Sequence, residues 1–321
     1  MWFACQKYLL IYYQITCGWD KMKKVLLLAG HDINILEDAK IEADICDVYK
    51  KGKINKVIKR FKKLLPLSLE MWKKKLSEYS IIILFDTYYN DGIFDFIFKH
   101  NSNVRIIFYC WNSINEISSR TDINRLFNDS RIEIWSYNSA DCAKYGLMYN
   151  PQFWNTSLMN KDWNTNTSIN EYDISFIGSP KNRINIIQRL NDFCNENNLI
   201  SYFYITDYKC NFNKNVNNEF IPYNVYIKKI ASRSSAILDI VTKENYGLTL
   251  RPLEALFLEK KLITNYKEIV NEPFYNSNNI YVIDVDERNL LDFLSLPLKK
   301  IPLEIVNLYN CDSWLNRFLG E

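Results

Sequence analysis

Two series of short, continuous apolar runs constrain the fold of this chain more than any other feature. Runs of this length, without polar alternation, are typical of strands buried on both faces of a parallel sheet. The predicted strands are Val25–Ala29, Ile81–Phe85, Val104–Tyr109 and Ile132–Trp135 in the first series, and Ile174–Ile177, Tyr202–Ile205, Ile237–Val241, Leu262–Thr264 and Ile280–Ile283 in the second.

Amphipathic helical patterns separate these predicted strands. Residues 54–65 carry one apolar stripe that Pro66 ends, and residues 223–231 carry another at i, i+3, i+4, i+7 and i+8. Strands that alternate with helices predict a doubly wound α/β sheet, and here the pattern occurs twice. Open sheets of this kind bind ligands at the carboxyl ends of their strands, so a cleft between two such domains is the expected ligand site.

The length of 321 residues suits two domains. We predict a first domain over residues 22–154, a polar linker rich in Asn and Thr over 155–171, a second domain over 172–300 and a helical tail over 301–321. Residues 1–21 are predicted to be an upstream extension outside the fold. They are apolar but interrupted by polar residues, and a weak membrane anchor is the alternative.

Composition excludes several functional classes. The formal net charge of +3 is too small to indicate a nucleic-acid partner. The eight cysteines form no C-x-x-C pair and there are only two histidines, so we predict buried, reduced thiols and no metal site. Asp284 and Asp286 are interpreted as helix-capping residues and not as metal ligands. The chain lacks a G-x-G-x-x-G turn, so a nicotinamide dinucleotide lacks its usual binding turn. No cofactor is expected.

The most informative segment is ENYGLTLRPLEALFLEKKLITN, residues 244–265. It lies between two predicted strands and therefore contains a loop that leads into a helix. Gly247 allows a close backbone approach, and Pro252 suits the first helical turn. The N–H groups of such a helix start form an anion site, to which Arg251 adds a guanidinium suited to phosphate. Glu254, one turn later, could accept hydrogen bonds from a ribose diol.

This segment resembles the G-x-T-x-x-x-E-A-x-x-x-x-K-x-x-I-T stretch in the donor domain of GT-B fold glycosyltransferases, in particular those of lipopolysaccharide and capsule assembly. The resemblance implies two Rossmann-like domains that face each other across a cleft. It also implies that Glu254 holds the donor ribose and that the loop with Tyr246, Gly247 and Thr249 faces the donor diphosphate. The chain departs from the family-4 pattern, because Tyr246 stands where that pattern has its first glutamate and Arg251 replaces a small residue or proline.

A second segment, YDISFIGSPKNRINIIQRL at residues 172–190, is similar to the first strand and turn of the same donor domain. There Gly178 and Ser179 make the turn, and Lys181 and Arg183 are the candidate diphosphate ligands. Residues 132–154 resemble the end of the first domain in these enzymes. The resemblance also implies that residues 301–321 cross back onto the first domain.

The first domain should bind the acceptor. Inverting enzymes of this fold often keep a base after the first strand, which makes His31 a candidate; Asp86, at the end of another strand, is the alternative. A capping or turn role is the competing interpretation of both. The basic face of Lys50–Lys63 is interpreted either as a solvated helix face or as a contact with anionic membrane or a lipid-diphosphate acceptor.

These observations predict a metal-independent, hexosyltransferase-like enzyme that moves a sugar from a nucleotide-diphosphate donor to a surface glycan or lipid-linked acceptor. The expected location is the cytoplasm, with the inner face of the membrane as the alternative. Two other functions stay open: a GT-B-type sugar-nucleotide epimerase, and a non-catalytic two-domain protein that binds a sugar or nucleotide. The residues leave open the donor base and sugar, the acceptor, the stereochemistry and the oligomeric state.

Overall fold

The computed structural model describes residues 24–30, 33–36, 39–48, 71–89, 92–159, 170–179, 181–206, 221–242, 247–283 and 289–320. The extension at residues 1–21, the basic face of Lys50–Lys63 and the pair Asp284 and Asp286 lie outside these ranges.

The described residues form eleven strands and a set of mostly short helices. The strands are β1 Val25–Leu28, β2 Asp44–Cys46, β3 Ile81–Phe85, β4 Arg105–Cys110, β5 Ile132–Ser136, β6 Met148–Tyr149, β7 Tyr172–Gly178, β8 Ser201–Ile205, β9 Ser234–Asp239, β10 Lys261–Thr264 and β11 Ile280–Val282. The α-helices are α1 Ile33–Leu36, α2 Met71–Lys74, α3 Ile93–His100, α4 Ile114–Ser118, α5 Ile123–Phe127, α6 Ser139–Tyr145, α7 Ile184–Glu196, α8 Tyr223–Lys229, α9 Leu250–Phe257, α10 Leu290–Ser295, α11 Leu303–Asn307 and α12 Cys311–Leu319.

The strands form two separate parallel sheets. The first sheet has the order β2-β1-β3-β4-β5-β6, and the second has the order β11-β10-β9-β7-β8. The strand order reverses between β1 and β3 in the first sheet and between β7 and β9 in the second. Such reversals open a crevice at the carboxyl ends of the strands, which is where doubly wound sheets bind ligands.

Both sheets are covered on two faces, because alternate side chains of each strand enter different cores. In the first sheet, Leu26 and Ile82 belong to one core, whereas Leu27 and Ile83 belong to the other. The second sheet has the same arrangement: α7 covers one face, and α8 and α9 cover the opposite face. The prediction of two doubly wound α/β domains that face across a cleft is confirmed.

The C-terminal helix α12 packs on the first sheet although it follows the second along the chain. Trp314 is fully buried, and its ring centroid lies 5.1 Å from that of Tyr109 and 4.4 Å from that of Phe153. The Asn150 side-chain amide donates to the carbonyl of Trp314 at 3.0 Å. These contacts join the end of the chain to the first domain.

Several element boundaries differ from the predicted ones. The strands β2 and β6 were not predicted; β2 is a three-residue strand without a fully buried side chain, and both side chains of β6 are exposed. The predicted strand Ile237–Val241 begins earlier, at Ser234, and ends at Asp239. None of the helices in the described ranges combines the length and the hydropathy that crossing a bilayer requires.

Candidate functional site

A cleft of about 340 Å³ lies between the two domains, at the carboxyl ends of their strands. The first domain contributes residues that follow β4, β5 and β6, and the second contributes the ends of β7 and β9, Tyr223 of α8 and the start of α9. The lining residues are Trp111, Asn112, Tyr137, Gln152, Phe176, Ile177, Gly178, Arg183, Tyr223, Asp239, Ile240, Val241, Thr242, Thr249, Leu250, Arg251 and Glu254.

Arg183 lies in the turn that follows β7, and its guanidinium is held against the backbone of the second domain. Its Nη1 donates to the carbonyl of Ile240 at 2.6 Å, and its Nε donates to the carbonyl of Ser179 at 3.1 Å. A Cβ atom at position 178 would lie 2.8 Å from Nη2 of Arg183, so Gly178 provides the space that the guanidinium occupies. The guanidinium also lies 5.0 Å from the centroid of the Phe176 ring.

The electrostatics of Arg183 reflect a second cation in the same cleft. Burial lowers the pKa of the Arg183 guanidinium; the Asp239 carboxylate opposes this shift and the Arg251 guanidinium adds to it. Arginine nevertheless stays protonated at neutral pH, because its ordinary pKa is so high. Within the described ranges Arg183 makes no ion pair with a carboxylate. Its charge is therefore available to an anionic ligand in the cleft.

The helix α9 begins at the cleft, and a buried carboxylate orders its first turn. The Oγ1 atom of Thr249, the N-cap residue, accepts from the N–H of Arg251 at 3.4 Å and donates to Oδ1 of Asp239 at 3.0 Å. The second oxygen of Asp239 accepts from Oγ1 of Thr264 at 3.2 Å. Burial raises the pKa of Asp239, although the bond from Thr249 and the charge of Arg251 oppose the shift. Asp239 thus fixes the loop before α9.

Glu254 lies one turn into α9 and is fully buried. Its two carboxylate oxygens accept from Nη1 of Arg251 at 2.9 and 2.8 Å, and Oε2 also accepts from the Tyr226 hydroxyl at 2.8 Å. The Arg251 guanidinium lies 4.6 Å from the centroid of the Tyr226 ring, and its Nη2 donates to the carbonyl of Ile177. Burial opposes the charged form of Arg251, but the Glu254 carboxylate outweighs it and raises the pKa of Arg251. Glu254 therefore orients Arg251 towards the end of β7.

The first-domain wall of the cleft depends on Asp86, which follows β3. Its Oδ1 accepts from the N–H groups of Trp111 at 2.5 Å and Asn112 at 3.2 Å, and its Oδ2 accepts from Nδ2 of Asn112 at 2.9 Å. Burial raises the pKa of Asp86, and the bonds from Asn112 and Trp111 oppose that rise. These three bonds anchor the loop after β4, which carries Trp111 and Asn112 into the cleft.

Gln152 is the unusual residue of the first-domain wall. Its side chain lines the cleft and is only 3% exposed, yet its Oε1 has no hydrogen-bond partner among the described residues. A buried, unpaired amide oxygen costs about 1–3 kcal/mol, which a ligand donor would recover. Nearby, Tyr137 approaches the second domain, since a Cβ atom at Gly247 would lie 3.4 Å from Cε2 of Tyr137. The two walls are thus in close contact here.

The structure brings together most of the residues that the sequence assigned to donor binding. Gly178, Thr249, Arg251 and Glu254 line the cleft, and Ser179 and Gly247 belong to the loops beside it. The backbone of Lys181 begins a short 3-10 turn. His31 and Tyr246 lie outside the described residues. No cluster of potential metal ligands occurs in the described part of the chain.

The sequence indicated neither the first-domain wall nor the buried Asp239 of the second domain. Trp111, Asn112, Tyr137 and Gln152 follow strands by one or more residues, but no motif distinguishes them from other loop residues. Asp239 could have been found, because a charged residue within an otherwise apolar run often marks the carboxyl end of a buried strand.

Neither a family model nor a curated protein matches the chain. Solved structures match in fold. Two structures of UDP-GlcNAc 2-epimerase from Methanocaldococcus jannaschii match with 12% and 10% identity, each over 93% of this chain and 99% of that one, with TM-scores of 0.45 and 0.46. The UDP-GlcNAc 2-epimerase of Neisseria meningitidis matches with 12% identity over 92% of this chain and 98% of that one, with a TM-score of 0.46.

The prediction of a glycosyltransferase that serves a surface glycan or lipid-linked acceptor is corrected here. These three matched structures are epimerases, and no family model supports a lipopolysaccharide or capsule glycosyltransferase. The name of these structures is that of the epimerase alternative. The resemblance of residues 244–265 reflects the GT-B type of fold. Because this fold supports several reactions, the resemblance could not identify which one the protein catalyses.

Proposed function

We propose that the cleft binds a nucleoside diphosphate sugar and that the protein acts on this ligand alone, as a sugar-nucleotide epimerase. The observation that carries the proposal is the pair of guanidiniums, Arg183 and Arg251, held at the carboxyl end of β7 beside the start of α9. Planar guanidiniums and helix N–H groups are the donors that phosphate oxygens prefer. The diphosphate would lie between them.

The opposite wall suits the sugar. Trp111 and Tyr137 offer aromatic faces against which the apolar face of a sugar ring can pack, and Gln152 offers an amide. A sugar hydroxyl that donates to Oε1 of Gln152 would satisfy this buried acceptor. The wall is therefore suited to a neutral, hydroxyl-rich group, whereas the second-domain wall is suited to the charged diphosphate.

Two considerations favour a reaction on the bound sugar nucleotide over transfer to an acceptor. Asp86 is the candidate acceptor base that lies among the described residues. Its two carboxylate oxygens accept three hydrogen bonds from the loop after β4. Epimerisation needs no acceptor site, and it is the activity in the names of the matched structures.

The binding half of the proposal is tested by calorimetry on Arg183→Gln, with UDP and uridine as ligands. Loss of one charge-assisted contact, worth about 1.5–3 kcal/mol, should weaken UDP binding by about 10- to 150-fold and leave uridine binding unchanged. Arg189→Gln is the matched control, because Arg189 is exposed on α7, the helix that follows Arg183, and does not line the cleft. Equal UDP affinity for wild type and Arg183→Gln would place the diphosphate elsewhere.

The catalytic half is tested by incubating the protein with UDP-GlcNAc and with other nucleoside diphosphate sugars, without any acceptor, in deuterated water. Proton NMR should show the signals of a second epimer, and deuterium at the inverted carbon would show that a C–H bond is broken. Binding without conversion of any sugar nucleotide would overturn the epimerase proposal and support the non-catalytic binding protein. That second function has its own support, because Asp239 and Glu254 are already engaged by neighbouring side chains.

A further inference from the structure

A second cavity, of about 230 Å³, lies behind α9, on the side of this helix away from the cleft. Its floor is formed by apolar side chains of α9, β10, β11 and α11, among them Leu256, Leu262, Ile280 and Val306. Sites for drug-sized ligands commonly occupy about 300–1,000 Å³, so this cavity suits a small ligand. Arg251 and Glu254 of the same helix line the cleft and do not line this second cavity.

The mouth of the cavity is cationic. Lys260, Lys299 and Lys300 line it, and Glu259 is the carboxylate among its lining residues. Lys299 and Lys300 are exposed, whereas Lys260 is partly buried. The side chain of Asn279 clamps the backbone of Lys299: its Nδ2 donates to the carbonyl of Lys299 and its Oδ1 accepts from the N–H, both at 2.7 Å. This wall of the mouth is therefore held in place.

The environment of Lys260 indicates that the ligand of this cavity is an anion. Its ammonium donates to the neutral side-chain oxygen of Asn170 at 2.8 Å, and within the described ranges it makes no ion pair with a carboxylate. Burial lowers the pKa of Lys260, which is the cost of keeping an uncompensated charge away from water. An anionic group at the mouth would offset that cost, because an opposite charge favours the ammonium form.

From this combination of an apolar floor and a cationic mouth, we propose that the cavity binds a small anionic amphiphile, with a short alkyl body and one carboxylate or phosphate head. The alkyl body lies against Leu256, Leu262 and Ile280, and the head group contacts Lys260. This site is separate from the cleft and does not depend on the function proposed for the cleft.

The proposal is tested by titrating the full-length protein with octanoate and octyl phosphate below their micelle concentrations, with octanol and octylammonium as controls. The two anions should bind, and their relative affinities decide between the carboxylate and the phosphate head. Octanol should bind about tenfold or more weakly, because it lacks the charge-assisted contact. Octylammonium should not bind. Octanol binding as tightly as octanoate would refute the role of charge, and the absence of any binding by both anions would refute the site.

Two substitutions in the cavity, each with a control variant outside it, test whether the ligand binds there. Lys260→Met keeps an unbranched side chain but removes the charge, and it should weaken octanoate binding by about tenfold or more without changing octanol binding. Lys228→Met is its control, since Lys228 is exposed and outside the cavity. Leu256→Trp should fill the cavity and abolish binding of both compounds, whereas Leu303→Trp, at a site 67% exposed, should not. Circular dichroism confirms folding, and wild-type octanoate affinity in folded Leu256→Trp would overturn the proposal.

Discussion

The ion pair of Arg251 and Glu254 makes a quantitative prediction about stability. In Arg251→Met, the fully buried Glu254 carboxylate loses the donor that contacts both of its oxygens and keeps the hydroxyl of Tyr226. Removing one partner of a buried pair costs about 3–5 kcal/mol, because the remaining charge is left without compensation. Since domains are stable by only about 5–15 kcal/mol, this loss is a large fraction of the total.

The two ends of the pair should respond unequally. The Arg251 side chain is 21% exposed and the Glu254 side chain is 0% exposed. In Glu254→Gln, the guanidinium can still reach water, and the Gln carbonyl can still accept from Tyr226. We therefore expect a smaller cost of about 1–3 kcal/mol. The double variant Arg251→Met/Glu254→Leu removes both charges and should be more stable than Arg251→Met alone, since apolar replacements of buried pairs are often tolerated.

Urea unfolding followed by circular dichroism measures these free energies of unfolding. The slope of the free energy against urea concentration should be the same in each variant if unfolding stays two-state. The free energies of wild type, Arg251→Met, Glu254→Leu and the double variant Arg251→Met/Glu254→Leu form a double-mutant cycle whose interaction energy should be large and favourable. A cost below about 1 kcal/mol for Arg251→Met would show that Glu254 is not held as described. Additive costs in the cycle would show that the two side chains act independently.

Three further predictions follow from the cleft and the C-terminal helix. Gly178→Ala should displace the Arg183 guanidinium, because Nη2 of Arg183 is the atom closest to the added Cβ. Since that side chain is flexible, the variant should weaken UDP binding more than it lowers stability. Unchanged UDP affinity in calorimetry would contradict this. Burial raises the pKa of Asp86, so the free energy of unfolding of wild type relative to Asp86→Asn should fall as the pH rises from about 3.9 to the folded-state pKa; a difference independent of pH in urea titrations would refute it. Trp314→Ala should cost about 3–5 kcal/mol, whereas Asn316→Ala, at an exposed position of the same helix, should cost almost nothing in thermal unfolding.

Most strands could be predicted from the sequence because a strand buried on both faces must be apolar throughout. That requirement does not apply to β2 and β6, which lie at the two edges of the first sheet. These two edge strands have few buried side chains, and their sequences carry no apolar run. The end of β9 was misplaced for a different reason. Ile240 and Val241 are apolar and so extended the predicted strand, but they lie beyond its end and line the cleft.

The candidate site could be predicted only where one loop carries several informative residues. Thr249, Arg251 and Glu254 lie within six residues of each other, and Gly178 ends the strand beside them, so a local motif identified this wall. The first-domain wall is assembled from loops far apart in sequence, whose side chains meet only because the parallel strands end at one edge. No local pattern marks Gln152, since its burial and its unpaired oxygen are properties of the folded chain.

Buried carboxylates recur at the cleft, and each one holds a donor in place. Asp86 fixes the loop after β4, Asp239 fixes the start of α9, and Glu254 fixes the guanidinium of Arg251. Acidic residues at strand ends are often catalytic, which is why the sequence suggested a chemical role for Asp86. The ligand contact suggested for Glu254 came from the resemblance of residues 244–265. In the folded chain each of these carboxylates accepts hydrogen bonds from neighbouring groups of the protein. Under the proposed function, Arg183, Arg251 and the neutral groups of the opposite wall meet the ligand. A site built this way binds through pre-oriented donors, so substitutions of the buried carboxylates should weaken binding through misplacement of those donors.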